Sequence, residues 1–485
     1  MESITKRPHA VVLVSPGMGH LTPMLELVKR LVTHHDFEVT LFAVVADSSS
    51  IQSQILSSTI PNNKFLHTRV IQLDVSAHVP PDTDLVVRIL VTLGKAMPLV
   101  RSAIASMKVC PDLFIADLFG TDYWPMADEF NMSKYVFITT SAWFLALTVY
   151  LPVFEMEISG EELRGLDCIR IPGCTRVQKR DHTESFDRDG PGYVWFVGVA
   201  KKIINSDGII VNSWHDLEPK AIRSLNHKYL LGQAINGQVY PVGPLVKQPS
   251  FRDELALAPP EMFKWMDKQP DQSVIYISFG SGGSLTYNQI QELASGLEFS
   301  QQRFIWVLRP PLNKNASEFF LSIDIDHDHH ASVFDYLPAG FLDRTNDVGL
   351  VIPMWAPQAE ILGHKSIGGF VTHCGWNSVI ESVVNGVPML AWPLYAEQEL
   401  NATMLTEELK IAIRPEGWAT GEDKLIGREE VEKAIRKIMA DKGGNEIRDR
   451  VKKLKNGAVK AAEAGKGASY NCLREFTKFC RMKMK

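Results

Sequence analysis

The chain has 485 residues, 45% of them hydrophobic and 22% charged. That balance excludes a disordered, collagen-like or coiled-coil protein and supplies apolar material for two or three domains. The net charge of −5 leaves no footprint for nucleic acid or anionic lipid, but whole-chain charge is silent about a small ligand.

In chain order, Ala10–Val14 is an apolar run too short for the core of a signal peptide, and it reads as a strand. The loop Ser15–His20 follows, then a helical pattern of Met24, Leu27, Val28 and Leu31. Val39–Ala46, Leu113–Ala116, Tyr135–Thr139 and Gly208–Val211 continue the strands. The longest apolar stretch, Ala142–Phe154, contains Pro152 and falls short of the roughly 20 residues that span a bilayer. Such β-α-β alternation predicts an α/β fold with a parallel, doubly wound sheet. The pattern restarts after residue 245. Ser273–Phe279 is β-rich, Gly280–Ser284 is a glycine loop, and Thr286 with Gln289 forms a capping-box signature for a helix carrying Ile290, Leu293 and Leu297.

These shifts predict a domain over 1–245, a linker over 246–260, a second domain over 261–465 and a closing helix within 466–485. The proline and glycine cluster that begins at Tyr240–Pro244 reads as part of the linker. Tyr470, Leu473 and Phe476 share a face of the closing helix, which docks on either domain. The six cysteines (110, 168, 174, 374, 472 and 480) contain no Cys-x-x-Cys pair. They read as free thiols in a reducing, cytoplasmic setting.

Several segments carry potential chemistry. Gly17-Met-Gly19-His20 partly matches a dinucleotide fingerprint, but Thr22 replaces the third glycine and Asp47 is late for the acidic position. An NAD oxidoreductase is therefore a weak alternative. His20 sits between a strand end and a helix start, which disfavours imidazolium and suits a general base. Asp117, directly after Leu113–Ala116, is placed to orient that imidazole from the same sheet rim. The ordinary alternatives are an exposed loop histidine and a turn-capping aspartate. Asp324, Asp326 and Asp328, with His327, His329 and His330, match no defined metal spacing and read as a solvated loop within 313–334.

The richest stretch runs from Trp355 to Gln398. Gly368–His373 reads as a buried strand, and Cys374-Gly-Trp-Asn-Ser378 as a tight turn opening a helix. Backbone N–H groups there favour phosphate, and His373, Asn377 and Ser378 add donors. Glu381, one turn on, suits both hydroxyls of a ribose. Glu397 and Gln398 suit sugar hydroxyls. Together these residues resemble a cradle for a nucleotide-sugar.

The same 44 residues, 355 to 398, resemble the signature box of the plant secondary-product (family 1) UDP-glycosyltransferases. The Pro-Gly-x-Gly-His at 16–20 and Asp117 stand where that family has its catalytic pair. The resemblance implies a GT-B fold, two Rossmann-like doubly wound domains with an interdomain cleft, and a last helix that returns to the N-terminal domain. It implies that Trp355 stacks on uracil and the backbone of Ala356 pairs with its edge. Gln358 and Glu381 would hold the ribose. Ser281, His373, Asn377 and Ser378 would hold the diphosphate, and Trp376, Glu397 and Gln398 the hexose. Family members often carry Asp where Glu397 stands, and the extra methylene alters its reach. Gln at the last position goes with glucose donors and His with galactose, so Gln398 favours UDP-glucose.

The reaction implied is an inverting displacement with His20 as base and Asp117 steadying it, without metal or cofactor. Asp117-Leu-Phe-Gly-Thr-Asp122, Ile171-Pro-Gly-Cys174 and Ser278–Gly283 are similar to the hydroquinone and monolignol glucosyltransferase branch. That similarity implies a small phenolic acceptor, with Met18, Phe119, Trp143, Leu147 and Tyr395 lining its pocket. The expected state is a monomer with no nucleic-acid or integral-membrane partner. The competing expectations are a non-catalytic nucleotide-sugar-binding protein of the same fold, or the same fold with another UDP-sugar.

Overall fold

The computed structural model describes residues 7–45, 67–74, 83–157, 159–181, 189–246, 260–312, 333–416, 425–440 and 442–484. The chain divides into two compact units, Met1–Val246 with Lys460–Lys485, and Lys247–Val459.

The first unit holds β1 (His9–Val14), β2 (Glu38–Val45), β3 (Thr68–Asp74), β4 (Leu113–Ala116), β5 (Ser133–Ile138), a two-stranded antiparallel hairpin of β6 (Cys168–Arg170) and β7 (Arg176–Gln178), then β8 (Gly208–Val211) and β9 (Gln238–Pro241). Seven of these form one parallel sheet in the order β3-β2-β1-β4-β5-β8-β9. Helices cover both faces of a parallel sheet, so its central strands read as unbroken apolar runs rather than alternations. Every residue of β1 and of β4 is buried.

Two strands escape the apolar-run reading. β3 is an outer strand whose sequence, TRVIQLD, mixes charge with Val and Leu. β9 falls where proline and glycine suggest a linker. Instead Tyr240, Val242 and Leu245 are buried in the first unit's core. Pro241 is tolerated because β9 lies at the sheet edge. Arg30 fastens the segment by donating to Val242 O at 3.0 Å and Pro244 O at 2.5 Å. The chain from 247 to 259, Asp47 and the Asp/His stretch up to residue 332 lie outside the described residues.

The long apolar stretch is the helix Ala142–Glu157, buried on all sides over its first half. Glu218 caps it by accepting from the N–H groups of Ala142 and Trp143, each at 2.9 Å. Among the described residues, no helix is long and apolar enough to cross a membrane.

The closing helix, Ala468–Lys483, belongs to the first unit. Leu473, Phe476 and Cys480 enter its core. Phe476 meets Tyr135 and Tyr240 edge-on at 4.9 and 5.4 Å, and lies parallel to Phe37 at 6.2 Å. Tyr470 is instead half-buried beside the rings of His34 and His35. No disulfide joins any of the six cysteines.

The second unit holds β10 (Val274–Ser278), β11 (Arg303–Leu308), β12 (Gly349–Pro353), β13 (Ile367–Thr372), β14 (Met389–Ala391) and β15 (Ala412–Ile413). They form a parallel sheet in the order β12-β11-β10-β13-β14-β15. Numbered within the unit this is 3-2-1-4-5-6, the doubly wound order of nucleotide-binding folds. The capping box expected at the helix after β10, Tyr287–Ser300, is half made. Thr286 accepts from Gln289 N at 3.3 Å, but the Gln289 side chain turns to the backbone of Ile426, donating at 3.0 Å and accepting at 2.9 Å.

Phe476→Ala is expected to lower unfolding free energy by about 3–5 kcal/mol, the range for removing a buried phenyl ring. Met482→Ala, on an exposed turn of the same helix, should change it by no more than about 0.5 kcal/mol. Urea denaturation compares the two, and equal effects would contradict the core role of Phe476. A second expectation concerns His35, which is 6% exposed. Burial, then His34 and nearby arginines, push its imidazole from 6.5 down to about 4. Between these values the unfolded chain takes up a proton that the native one refuses. Acidification there should cost up to about 1.4 kcal/mol per pH unit. His35→Gln should flatten that slope in denaturation series from pH 7 to 5.

Candidate active site

Both units place their candidate residues directly beyond the carboxyl ends of two neighbouring central strands. In the first, β1 pairs with β4 so that Leu13 lies beside Ala116. The next residues out, Ser15 and Asp117, meet there. Ser15 donates its N–H to Asp117 Oδ2 at 3.1 Å and its hydroxyl to Oδ1 at 2.6 Å. Asp117 also caps the following turn, accepting from Phe119 N at 3.0 Å and Gly120 N at 3.3 Å. The turn-capping reading of this aspartate is thus realised, and the same carboxylate faces the His20 ring.

His20 lies in the first turn of the helix Met18–His35. Gly17 precedes that helix with φ of 113°, a backbone angle that side chains disfavour. The tight turn brings His20 Nδ1 to 3.1 Å from Asp117 Oδ2, with Asp117 fully buried and His20 at 12% side-chain exposure. Burial pushes the Asp117 carboxyl up, but the His20 imidazole and both Ser15 bonds outweigh it and hold it below its usual value. An ionised carboxylate facing Nδ1 keeps the ring proton on that nitrogen, which makes Nε2 the basic one.

A row of aromatic rings stands beside His20. Phe119 meets the imidazole edge-on at 5.3 Å and stacks on Trp195 at 5.6 Å. Trp195, on the helix Pro191–Ile204, was not among the residues singled out from sequence, because that helix reads only as a run of apolar residues. Trp143 and Leu147, expected to line a pocket, are instead 1% and 0% exposed and pack inside the helix Ala142–Glu157. The first half of that helix is covered on every side, so neither side chain presents an exposed face. Met18 is half-buried against the first unit's core. Tyr395 is half-buried in the second unit.

In the second unit the neighbouring strands are β10 and β13, with Ser278 beside Thr372. His373 follows β13 and is 7% exposed. Its ring passes between Gly280 and Gly375. A Cβ on either glycine would come within 2.4 Å of it, so the glycines are there for room. Burial first, and then the Arg309 cation, drive the His373 imidazole down to about 3. It is neutral under ordinary conditions and carries no charge into the site.

Cys374 takes a left-handed φ of 64°, and the helix Trp376–Asn385 begins after Gly375 with no side-chain cap. That leaves an N-terminus of the kind that binds anions. Asn377 is half-buried and Ser378 buried in its first turn. Trp376, expected to hold the hexose, is 3% exposed. Gln358 draws the expected ribose pair together. Its Nε2 donates to Ser378 Oγ at 2.9 Å and to Glu381 Oε2 at 2.7 Å. Trp355 is half-buried and Ala356 buried just before it, and Ser281 is half-buried in the glycine loop.

Gln398 is 4% exposed, and its Oε1 accepts from Leu394 N at 2.9 Å and Tyr395 N at 3.0 Å. That fixes the turn and orients its amide, while Glu397 is half-buried at the helix start. Arg309 was also missed in sequence. A charged residue directly after an apolar strand, at the carboxyl edge of the sheet, was the available signal. Among the described residues, no group of three His, Cys, Asp or Glu side chains is gathered as a metal site would require.

Residues 257–446 match the family model described as UDP-glucoronosyl and UDP-glucosyl transferase. UDP-glycosyltransferase 72E1 of Arabidopsis thaliana is 43% identical over 476 residues, covering 97% of this chain and 95% of the relative. Hydroquinone glucosyltransferase of Rauvolfia serpentina is 41% identical over 475 residues, covering 96% of this chain and 97% of the relative. Among solved structures, TcCGT1 in complex with UDP aligns with a TM-score of 0.88 at 40% identity, covering 99% of this chain and 100% of that one. With parallel sheets in two Rossmann-like units, the fold is GT-B, and the chain belongs to the plant UDP-glycosyltransferase family, as a UDP-dependent glycosyltransferase.

Proposed function

We propose that the protein transfers glucose from UDP-glucose to a hydroxyl of a small phenolic acceptor, with inversion, giving a β-O-glucoside. The observation that carries this reading is the His20 Nδ1 to Asp117 Oδ2 contact of 3.1 Å on a buried, ionised carboxylate. In the reaction, His20 Nε2 takes the acceptor hydroxyl proton as the oxygen bonds to the anomeric carbon. The bond from that carbon to the diphosphate breaks, and UDP leaves. Asp117 offsets the positive charge that appears on His20. A phenol, with an ordinary pKa near 10, gives up its proton to such a base more readily than an alcohol does. The Phe119–Trp195 stack supports a flat aromatic acceptor, and one relative is a hydroquinone glucosyltransferase.

In this reading Trp355 stacks on the uracil and the Ala356 backbone pairs with its edge. Gln358 and Glu381 hold the ribose. Ser281, His373, Asn377 and Ser378 receive the diphosphate, where fixed donors stabilise the leaving group. Trp376, Glu397 and Gln398 hold the glucose. Six cysteines without a disulfide support a reducing, cytoplasmic setting.

His20→Ala is expected to lower turnover of hydroquinone, followed by chromatography of the glucoside, by about 10²–10⁴-fold. Its UDP affinity should stay within about twofold. Undiminished turnover would sink the mechanism. Asp117→Asn, which keeps the turn cap but removes the charge, should also fall by at least 10²-fold. For the donor side, Glu381→Ala should weaken UDP by roughly tenfold in calorimetry. A UDP analogue lacking both ribose hydroxyls should be weakened far less. Equal losses for both ligands would take the ribose away from Glu381.

A further inference from the structure

Arg309 is a buried cation that the mechanism above does not use. It follows directly on β11 and is 6% exposed. Two of its donors go to backbone carbonyls, Nε to Met354 O at 3.0 Å and Nη1 to Gly283 O at 3.3 Å. Gly283 belongs to the glycine loop after β10, and Met354 directly precedes Trp355 after β12. Since β11 lies between β10 and β12, the guanidinium sits between the two loops and grips both. Met354 needs that grip, because it is held at a positive φ of 64°.

The charge itself has no carboxylate partner among the described residues. The groups that bear on it, after burial, are the hydroxyls of Tyr395 and Tyr276. Both tyrosines are raised above their usual values and stay neutral. Burial lowers Arg309 to about 10, which leaves it protonated near neutrality. A buried charge without a counter-charge is costly to hold. The field of this one reaches His373, where it is the second cause, after burial, of the neutral imidazole. There too a polar atom is unsatisfied: Nδ1 of His373 is buried and has no hydrogen-bond partner among the described residues.

We propose that Arg309 is a positioning residue whose buried charge serves as the counter-charge of the donor's diphosphate, acting through the glycine loop that it holds. This rests on the nucleotide-sugar reading of the second unit. It assigns the anion's stabilisation to a fixed cation behind the loop, in addition to the helix N-terminus and the neutral imidazole in front of it.

The test compares UDP with uridine, which shares the base and ribose but carries no phosphate. Calorimetry on the full chain near neutral pH measures both ligands on wild type, Arg309→Met, Arg309→Gln and Arg309→Lys. The expected result is a loss of UDP affinity of roughly 10- to 100-fold in the Met and Gln variants, the range for one charge-assisted interaction. Uridine affinity should change by less than about twofold. Lys keeps the charge but not the planar fork, and should recover most of the UDP affinity.

If Arg309→Met fails to fold, judged by its thermal transition, the Gln and Lys variants carry the comparison, because Gln keeps a donor for the carbonyls and lacks only the charge. Equal losses for UDP and uridine would make Arg309 a loop clamp acting through Trp355 and overturn the proposal. So would unchanged UDP affinity in the Gln variant. Failure of wild type to bind UDP at all would instead overturn the nucleotide-sugar reading beneath it.

Discussion

In a doubly wound sheet, two adjacent central strands send their connections in opposite directions, and a crevice opens beyond their carboxyl ends. Each unit of this protein builds its candidate site on that constraint. The pair is β1 and β4 in the first unit and β10 and β13 in the second. Because parallel register is fixed by the buried apolar runs, the first polar residue after each strand has little choice of neighbour. Leu13 beside Ala116 makes Ser15 meet Asp117. Ser278 beside Thr372 brings Gly280 against His373. The chemistry at each rim depends on this pairing before any loop detail matters.

The two rims treat buried charge in opposite ways. Asp117 is satisfied from within, by four donors and an imidazole. Its charge is complete before any ligand arrives, which suits a group that must hold a ring in one orientation. At the second rim the histidine is neutral, the helix start has no side-chain cap, and the nearby guanidinium contacts only carbonyl oxygens among its hydrogen-bond partners. No carboxylate pairs with that guanidinium among the described residues, although Glu381 and Glu397 lie in the same unit's candidate site. One rim neutralises its charge internally, and the other holds a cation that is bonded only to backbone among the described residues.

Much of this was legible in the chain itself. Continuous apolar runs marked β1, β4, β8, β10 and β13, and the residues just past them gave His20, Asp117 and the turn at 373–378. Gln358, Ser378 and Glu381, separated in sequence, do come together. What could not be read depended on neighbours that sequence does not reveal. β9 was hidden because proline and glycine signal a linker unless the strand lies on an edge. Gln289 looked like the second half of a capping box, but Ile426, 137 residues away, competes for its side chain. Trp143 and Leu147 looked available because a helix apolar on all sides does not announce which face is covered. Trp195 and Arg309 belong to no short motif. One gains its place by stacking on Phe119, and the other by lying on the strand between two loops.

The first unit is discontinuous. Its core includes Leu473, Phe476 and Cys480, and the rings of Phe37, Tyr135 and Tyr240 close around one of them. Those residues leave the ribosome after the whole of the second unit. Chains usually acquire structure from the N-terminal domain onward as they are made, but this one cannot finish its first unit until the helix Ala468–Lys483 has emerged. The contiguous stretch 247–459 has no such wait. The unit translated first is thus completed only after the second has been made, and a nascent chain stalled before residue 468 would carry an open aromatic socket on its first unit.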